Sequence, residues 1–195
     1  MELAEARDIV GSLSSPSKMP GKAWGISAST CPTGSKLAKI AGSVCVGCYA
    51  SKGRYRMPGV RKAHAKRLAG LSHPDWSEAM ALVINHASKG EDGYRFRWHD
   101  SGDLQHLAHL RLIVSVVRQT PMVRHWLPTR EVRLVRSYLL AGGTFPDNLT
   151  VRLSATMRDQ APPAMFGLPT STVHEHEAPQ GMSCKAYGGE RVHCG

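Results

Sequence analysis

Tyr94-Arg-Phe-Arg-Trp-His-Asp-Ser-Gly-Asp103 is the stretch that decides the architecture. Its first half alternates aromatic residues with Arg, the period of a strand that has one face on a core. Its second half is polar and carries an imidazole, a hydroxyl and two carboxylates. A helical pattern stands on either side. Upstream, Ser72-His-Pro-Asp75 predicts a helix start, with Ser72 as cap and Pro74 in the first turn. Trp76, Ala79, Met80, Val83, Ile84 and Ala87 follow at helical spacing, and Gly90 ends the run. Downstream, Leu107, Leu110, Ile113, Val114 and Val117 mark a second amphipathic helix, closed by Pro121.

The pattern then repeats. Met122 to Leu127 predicts a strand, Glu131 to Leu140 a helix stopped by Gly142-Gly143, Thr150 to Ser154 a strand, and Thr172 to His174 a last one. Strands alternating with helices imply parallel pairing through right-handed crossovers. The expected fold class is therefore α/β: a partial parallel α/β barrel or an open parallel sheet, with a cysteine-rich metal-binding loop region. A chain of 195 residues reads as a single domain, 1–195. Within it lie cysteine-rich basic loops at 18–67, a βαβαβ core at 72–175 and a C-terminal cysteine segment at 180–195. Ahead of the core, residues 1–21 suggest a short helix and a loose Ser/Pro/Gly segment. Ala23 to Ser27 suggests a short strand, Ser29 to Gly59 a loop that an ion would organise, and Val60 to Leu71 a basic helix.

Parallel α/β folds gather their working residues beyond the carboxyl ends of the strands. Each predicted strand here leads to a reactive group. The first leads to Cys31, the second to His99-Asp100-Ser101-Gly102-Asp103, the third to Thr129-Arg130, the fourth to Ser154-Ala155-Thr156 and the last towards Cys184.

The cysteines carry the strongest chemical signal. Cys45 and Cys48 are separated by two residues, thirteen residues separate Cys31 from Cys45, and Cys184 and Cys194 follow near the end. A two-residue gap lets both thiolates of a turn meet one metal centre. Four of the five would complete a tetrahedral zinc site or a cubane [4Fe-4S] cluster. Only one such turn is present, which favours a cluster over a zinc ribbon. Cys45, Cys48 and Cys194 are the first choice as ligands, with Cys31 and Cys184 competing for the remaining place. His193, His174 or His176 would supply nitrogen to zinc. Odd in number and unevenly spread, the cysteines argue against a secreted disulfide framework. Met1 to Val10 has no apolar run of a secretory signal, and no stretch is long enough to cross a bilayer. The expectation is a cytoplasmic protein with reduced thiols and no membrane partner.

The formal charge is +10, and no Asp or Glu occurs from Ile9 to Pro74. Lys52, Arg54, Arg56, Arg61, Lys62, Lys66 and Arg67 all fall in that stretch. Clustered cations beside aromatics suit a polyanion, and nucleic acid is the expected partner. Tyr49 and Tyr55 are the aromatics suited to stack bases; Trp24 and Trp98 are expected in the core. His99, Asp100 and Asp103 are acid–base candidates, and Asp103 would also serve as N-cap of the second helix. Arg130, at a helix start, would hold a phosphate or carboxylate or stand as a solvated charge.

Thr30-Cys-Pro-Thr-Gly-Ser35, Cys45-Val-Gly-Cys-Tyr-Ala-Ser-Lys-Gly-Arg-Tyr55, His99-Asp-Ser-Gly-Asp-Leu104, Trp126-Leu-Pro-Thr-Arg130 and Val151-Arg-Leu-Ser-Ala155 together resemble the phage "gene product 88" domain family. That resemblance implies a viral protein working in the cytoplasm of an infected bacterium. A weaker likeness joins Cys45-Val-Gly-Cys48-Tyr49 to the cluster motif of radical S-adenosylmethionine enzymes, whose fold is a partial barrel. It implies a cofactor site at Ser101, Gly102 and Asp103, to which Arg130 is added as a candidate by its helix start, although the first cysteine gap here is longer and their Gly-Gly-Glu sequence is absent. The expected function is a viral [4Fe-4S] protein that binds nucleic acid, with single-stranded DNA favoured. The alternatives are a radical S-adenosylmethionine-like enzyme and a zinc-stabilised interaction module.

Overall fold

The structure, a computed structural model, describes residues 1–17, 19–91, 93–179 and 181–184. Five strands form one sheet: β1 (Lys22–Trp24), β2 (Tyr94–Trp98), β3 (Val123–Thr129), β4 (Leu149–Ser154) and β5 (Thr170–Ser171). Their spatial order follows the chain, β1-β2-β3-β4-β5, and every pairing is parallel. The sheet does not close, so of the two expected architectures the coarser one stands: an open parallel α/β sheet with the strand order of a partial barrel. Among the described residues, six α-helices accompany it: α1 (Leu3–Val10), α2 (Gly34–Leu37), α3 (Pro58–Gly70), α4 (Trp76–Ser88), α5 (Leu107–Gln119) and α6 (Val132–Leu140). No helix among the described residues is long and apolar enough to cross a membrane.

The period of two along each strand separates the faces. Phe96 and Trp98 on β2, Val123, His125 and Leu127 on β3, and Leu149, Val151 and Leu153 on β4 are buried. They share one core with Ala6 and Val10 of α1, Met80 and Ile84 of α4, Leu110, Ile113 and Val117 of α5, and Val135 of α6. The intervening residues on the other face (Arg95, Arg97, Arg124, Trp126, Thr150 and Arg152) are exposed or half-buried. Trp24, Trp76 and Trp98 are fully buried and meet edge-on or tilted, with centroids 5.5–6.3 Å apart. The Trp24 indole donates to the Val10 carbonyl at 2.9 Å, fixing α1 against the sheet.

Three local expectations change. Helix α4 begins at Trp76 with Asp75 in the cap position, so Ser72 and Pro74 belong to the turn before it. Asp103 does not cap α5. His106 does, its ring accepting from the His109 backbone N–H at 3.1 Å. Residues 29–59 are not shapeless backbone awaiting an ion. They form α2 and single 3-10 turns at Ala28–Thr30, Tyr49–Ser51 and Gly53–Arg56.

Arg67 also departs from expectation. It sits on the basic helix α3, yet it is buried. Its guanidinium donates to the carbonyls of Gly25 at 2.9 Å and of Ser12, and to the Ser14 hydroxyl. It therefore clamps the segment after α1 to the end of β1 and is withdrawn from any phosphate. The φ of +75° at Gly11 and the closeness of the Arg67 side chain, 2.8 Å from where a Cβ would stand, explain the glycine. Arg67→Met strips buried carbonyls of their donors. It should cost about 3 kcal/mol. Thermal unfolding would read this as a drop of roughly 10 °C.

Candidate functional site

The carboxyl ends of the strands meet the cysteine loops, and each end holds them by a different bond. At β2, the Asp100 carbonyl accepts from the Tyr49 hydroxyl at 2.6 Å. At β3, the buried Glu131 accepts from the Thr33 backbone N–H at 2.7 Å and from its hydroxyl at 2.9 Å. At β4, the Val44 N–H donates to the Thr156 carbonyl at 3.1 Å, and the Arg158 N–H donates to the Gly42 carbonyl at 2.9 Å. The loop between β1 and α3 is thus laid across the sheet edge by hydrogen bonds to three strands.

That placement brings the thiols together. A Cβ added to Gly34 would lie 2.9 Å from the Cys31 Cβ, 3.5 Å from the Cys31 Sγ and 3.7 Å from the Cys45 Sγ. Only glycine leaves the two sulfurs that room. Gly47, with φ +71°, lets the Cys45–Cys48 turn close. Burial pushes the Cys31 thiol up to about 12, and Asp103, Cys48, Cys45 and Glu131 each add to that rise. Burial likewise raises Cys45, where Arg130 partly offsets it. Cys45 and Cys48 thus oppose ionisation of Cys31, and Cys48 opposes that of Cys45. A bound metal centre reverses that logic, because its charge deprotonates coordinating thiols outright. The thiols open onto a cavity of about 2090 Å³, which also reaches Cys184 and the open face of the sheet.

A family model described as Gene product 88 matches residues 3–184. The chain belongs to the gene product 88 family. Compared with curated proteins and with solved structures, it finds no match in either. The family match spans every motif on which the resemblance rested, and Cys31, Cys45, Cys48 and Cys184 all lie within it.

The remaining site residues predicted for this gene product 88 chain fall in distinct places. Asp103 is buried and bonds in three directions. Its Oδ1 accepts from the Leu104 N–H at 2.8 Å and the Thr129 hydroxyl at 2.6 Å, and its Oδ2 accepts from the Arg130 N–H at 2.9 Å. It ties the end of β2 to the end of β3. Burial raises its pKa to about 6 against those bonds. Ser101 donates to the Ile26 carbonyl at 2.7 Å, and Gly102, at φ +80°, leaves a Cβ position only 2.5 Å from the Ile26 side chain. Both join the β1 and β2 ends, and both line the cavity. Arg130 donates to the Ala155 carbonyl at 3.2 Å and also lines it.

His99 is buried at φ +55°, a strained conformation for a residue with a Cβ. Its ring packs on His109 with centroids 5.3 Å apart, and neither ring nitrogen has a hydrogen-bond partner among the described residues. Burial and then Arg97 lower its pKa to about 3, so it is neutral at physiological pH and suited to accept a proton's hydrogen bond rather than to act as a general acid. The buried Asp100 Oδ1 is also without a partner.

Lys52, Arg54, Arg56, Arg61 and Lys62 are exposed, as expected of a cationic surface, and Arg56 and Arg61 line the cavity. Lys66 pairs with Asp8 at 2.8 Å. Tyr49 keeps an exposed ring edge-on to Tyr55, which in turn stacks on His64. The His174–Glu177 run wraps Asp159, whose carboxylate accepts the backbone N–H groups of Glu175, His176 and Glu177. Cys194 and His193 lie outside the described residues. Among the described residues, no three His, Cys, Asp or Glu side chains are arranged to hold a single metal ion.

Two sets of residues were not anticipated. Glu131 is one; nothing in the sequence joins it to Thr33. The arginines Arg95, Arg97, Arg124 and Arg152 are the other, and strand alternation alone assigns them to one face. Glu131→Ala would leave the Thr33 N–H and hydroxyl without their acceptor and loosen the Cys31 loop. The expected cost is about 2 kcal/mol. Alkylation of Cys31 by iodoacetamide should become faster at the same time, and an unchanged rate would show that Glu131 does not hold that loop.

Proposed function

We propose that the protein carries a [4Fe-4S] cluster on Cys31, Cys45 and Cys48 at the carboxyl edge of the sheet, and that it binds single-stranded nucleic acid on its cationic surface. One observation carries the reading: thiols with thirteen residues between them in sequence, Cys31 and Cys45, stand beside one another at a cavity mouth, around a glycine that leaves them room. Their chemistry suits the group. A mononuclear zinc site needs four ligands at about 2.0–2.3 Å from one ion. A cubane spreads its thiolates over separate irons. A lone Cys45-Val-Gly-Cys48 turn with a single cysteine, Cys31, brought towards it favours the latter. Cys184 lines the same cavity. When bound, the cluster supplies a redox-active centre with its charge partly balanced by Arg130.

The nucleic-acid half rests on the exposed cations of residues 52–62 and on a formal charge of +10. A second reading, a radical S-adenosylmethionine-like enzyme, is favoured by a specific feature. The cavity is deep, adjoins the three thiols and sits where parallel α/β folds carry out chemistry. Anaerobic purification followed by iron, sulfide and zinc analysis tests the cluster. About four irons and four sulfides per chain support it. Zinc at about one per chain with no sulfide rejects it in favour of the zinc module. Cleavage of S-adenosylmethionine by the reduced protein would move the conclusion to the enzyme.

A further inference from the structure

Helices α1, α4, α5 and α6 pack on one face of the sheet, and the other face is the wall of the cavity. On that wall the side chains are strongly cationic. Arg95 and Arg97 come from β2, Arg124 from β3 and Arg152 from β4, and all line the same space. Arg95 and Arg124 are register partners on adjacent strands. Like charges placed directly opposite one another destabilise a sheet, so this pairing needs a counter-charge. The protein does not supply one: no ion pair joins any of the four to a carboxylate among the described residues. The Arg97 guanidinium lies 4.8 Å above the Trp126 ring and donates to the Met19 sulfur at 3.8 Å, and its buried Nε has no acceptor among the described residues. Arg152 spends one donor on the Thr170 carbonyl at 2.7 Å, and the donors that remain on this wall suit an anion.

We propose that the open face of the sheet is the nucleic-acid surface, with Arg95, Arg124 and Arg152 holding successive phosphates of one strand and the Arg97–Trp126 pair offering a stacking platform. The inference rests on the nucleic-acid reading above and shifts its main contacts from the exposed loops to the cavity wall. A single strand is the occupant that the geometry favours. Duplex DNA accepts protein elements into its grooves, whereas a cavity with basic walls and an aromatic floor takes a flexible strand. A volume of about 2090 Å³ exceeds that of a usual small-molecule pocket, about 300–1,000 Å³, and suits several nucleotides. A strand lying there runs under the thiols.

Fluorescence anisotropy with a 5′-fluorescein oligo-dT of about twelve nucleotides tests this, given a site size of roughly 4–16 nucleotides for such surfaces. Arg95→Gln with Arg124→Gln should weaken binding by more than about tenfold and flatten the plot of log affinity against log salt by about 1.4, two phosphate contacts at about 0.7 each. Arg95→Lys with Arg124→Lys should keep most of the salt slope. Arg54→Gln with Lys62→Gln, on the exposed loops, should change affinity less than the Gln pair on the sheet. Wild-type binding that the Gln pair leaves unchanged overturns the inference and spares the reading. A wild type that binds no oligonucleotide overturns both. Photocrosslinking of an iodouracil-bearing oligonucleotide to the unmodified protein needs no variant to fold. It should give an adduct at Trp126, and adducts confined to Tyr49 and Tyr55 would overturn the assignment.

Discussion

Cys45→Ser and Cys48→Ser should each leave the anaerobically prepared protein almost free of iron and colourless, while the parent is brown with about four irons per chain. The expected loss is large because a cluster ligand is not one contact among many. Only the thiolate binds, and the binding free energy is shared over the whole ligand set. A serine hydroxyl at the same place is a far weaker base for iron. Cys31→Ser should behave like the other two, since its sulfur stands beside the Cys45 sulfur around Gly34. Cys184→Ser should retain iron, because the three neighbouring thiols form the ligand set in this account. Loss on Cys184→Ser together with retention on Cys31→Ser would move the centre away from the sheet edge. Far-UV circular dichroism should differ little among the variants, since three strand ends hold the loop by hydrogen bonds of their own.

Stability should fall steeply on acidification below pH 6, at about 2.7 kcal/mol per pH unit between roughly pH 6 and 4. Burial lowers His99 and His125 to about 3 and holds His109 well below its ordinary value. In the unfolded chain each protonates near 6.5. As pH falls through that value, the unfolded state takes up three protons that the native state refuses, so stability rises with pH across this window. Asp103 opposes the trend. Its folded pKa is raised to about 6 from 3.8, so between those values the native state holds one proton that the unfolded state lacks. The net difference is about two protons. A domain stable by about 5–15 kcal/mol exhausts that margin within a few pH units. Urea unfolding at pH 7, 6, 5 and 4.5 measures the slope. A flat profile would mean that the three imidazoles are charged inside the fold, against their burial among Trp24, Trp76 and Trp98.

Much of the fold is legible in the alternation of apolar and polar residues. Tyr94–Trp98 is a strand to the residue, and the helices that flank it appear within a few positions of their expected bounds. Periodicity captures these elements because one face of each meets the core. The same alternation held an unread message. In Tyr94-Arg-Phe-Arg-Trp98, Val123-Arg-His-Trp126 and Val151-Arg-Leu153, burying one set of residues places every Arg on the far face. The density of cations in the sequence points instead to the loops. Arg67 shows the opposite error. It lies among Arg61, Lys62 and Lys66, but it turns inward because the carbonyls of Ser12 and Gly25, more than forty residues away, need donors. No local pattern encodes such a partner. Asp103 similarly reads as a helix cap from its neighbours, whereas its bonds reach across to Thr129 and Arg130 on the next strand. The convergence of Cys31 with Cys45 and Cys48 was legible through the rule that α/β folds gather reactive groups at strand ends. Glu131, which secures the Cys31 loop through Thr33, was not, since that pairing spans 98 residues.

Anomalous diffraction at the iron edge, from crystals of protein purified and grown without oxygen, tests the central claim most directly. The account predicts one compact iron peak bounded by the sulfurs of Cys31, Cys45 and Cys48, facing the arginine-lined cavity. Bare thiols at that corner, with iron absent or bound at another place, would contradict it.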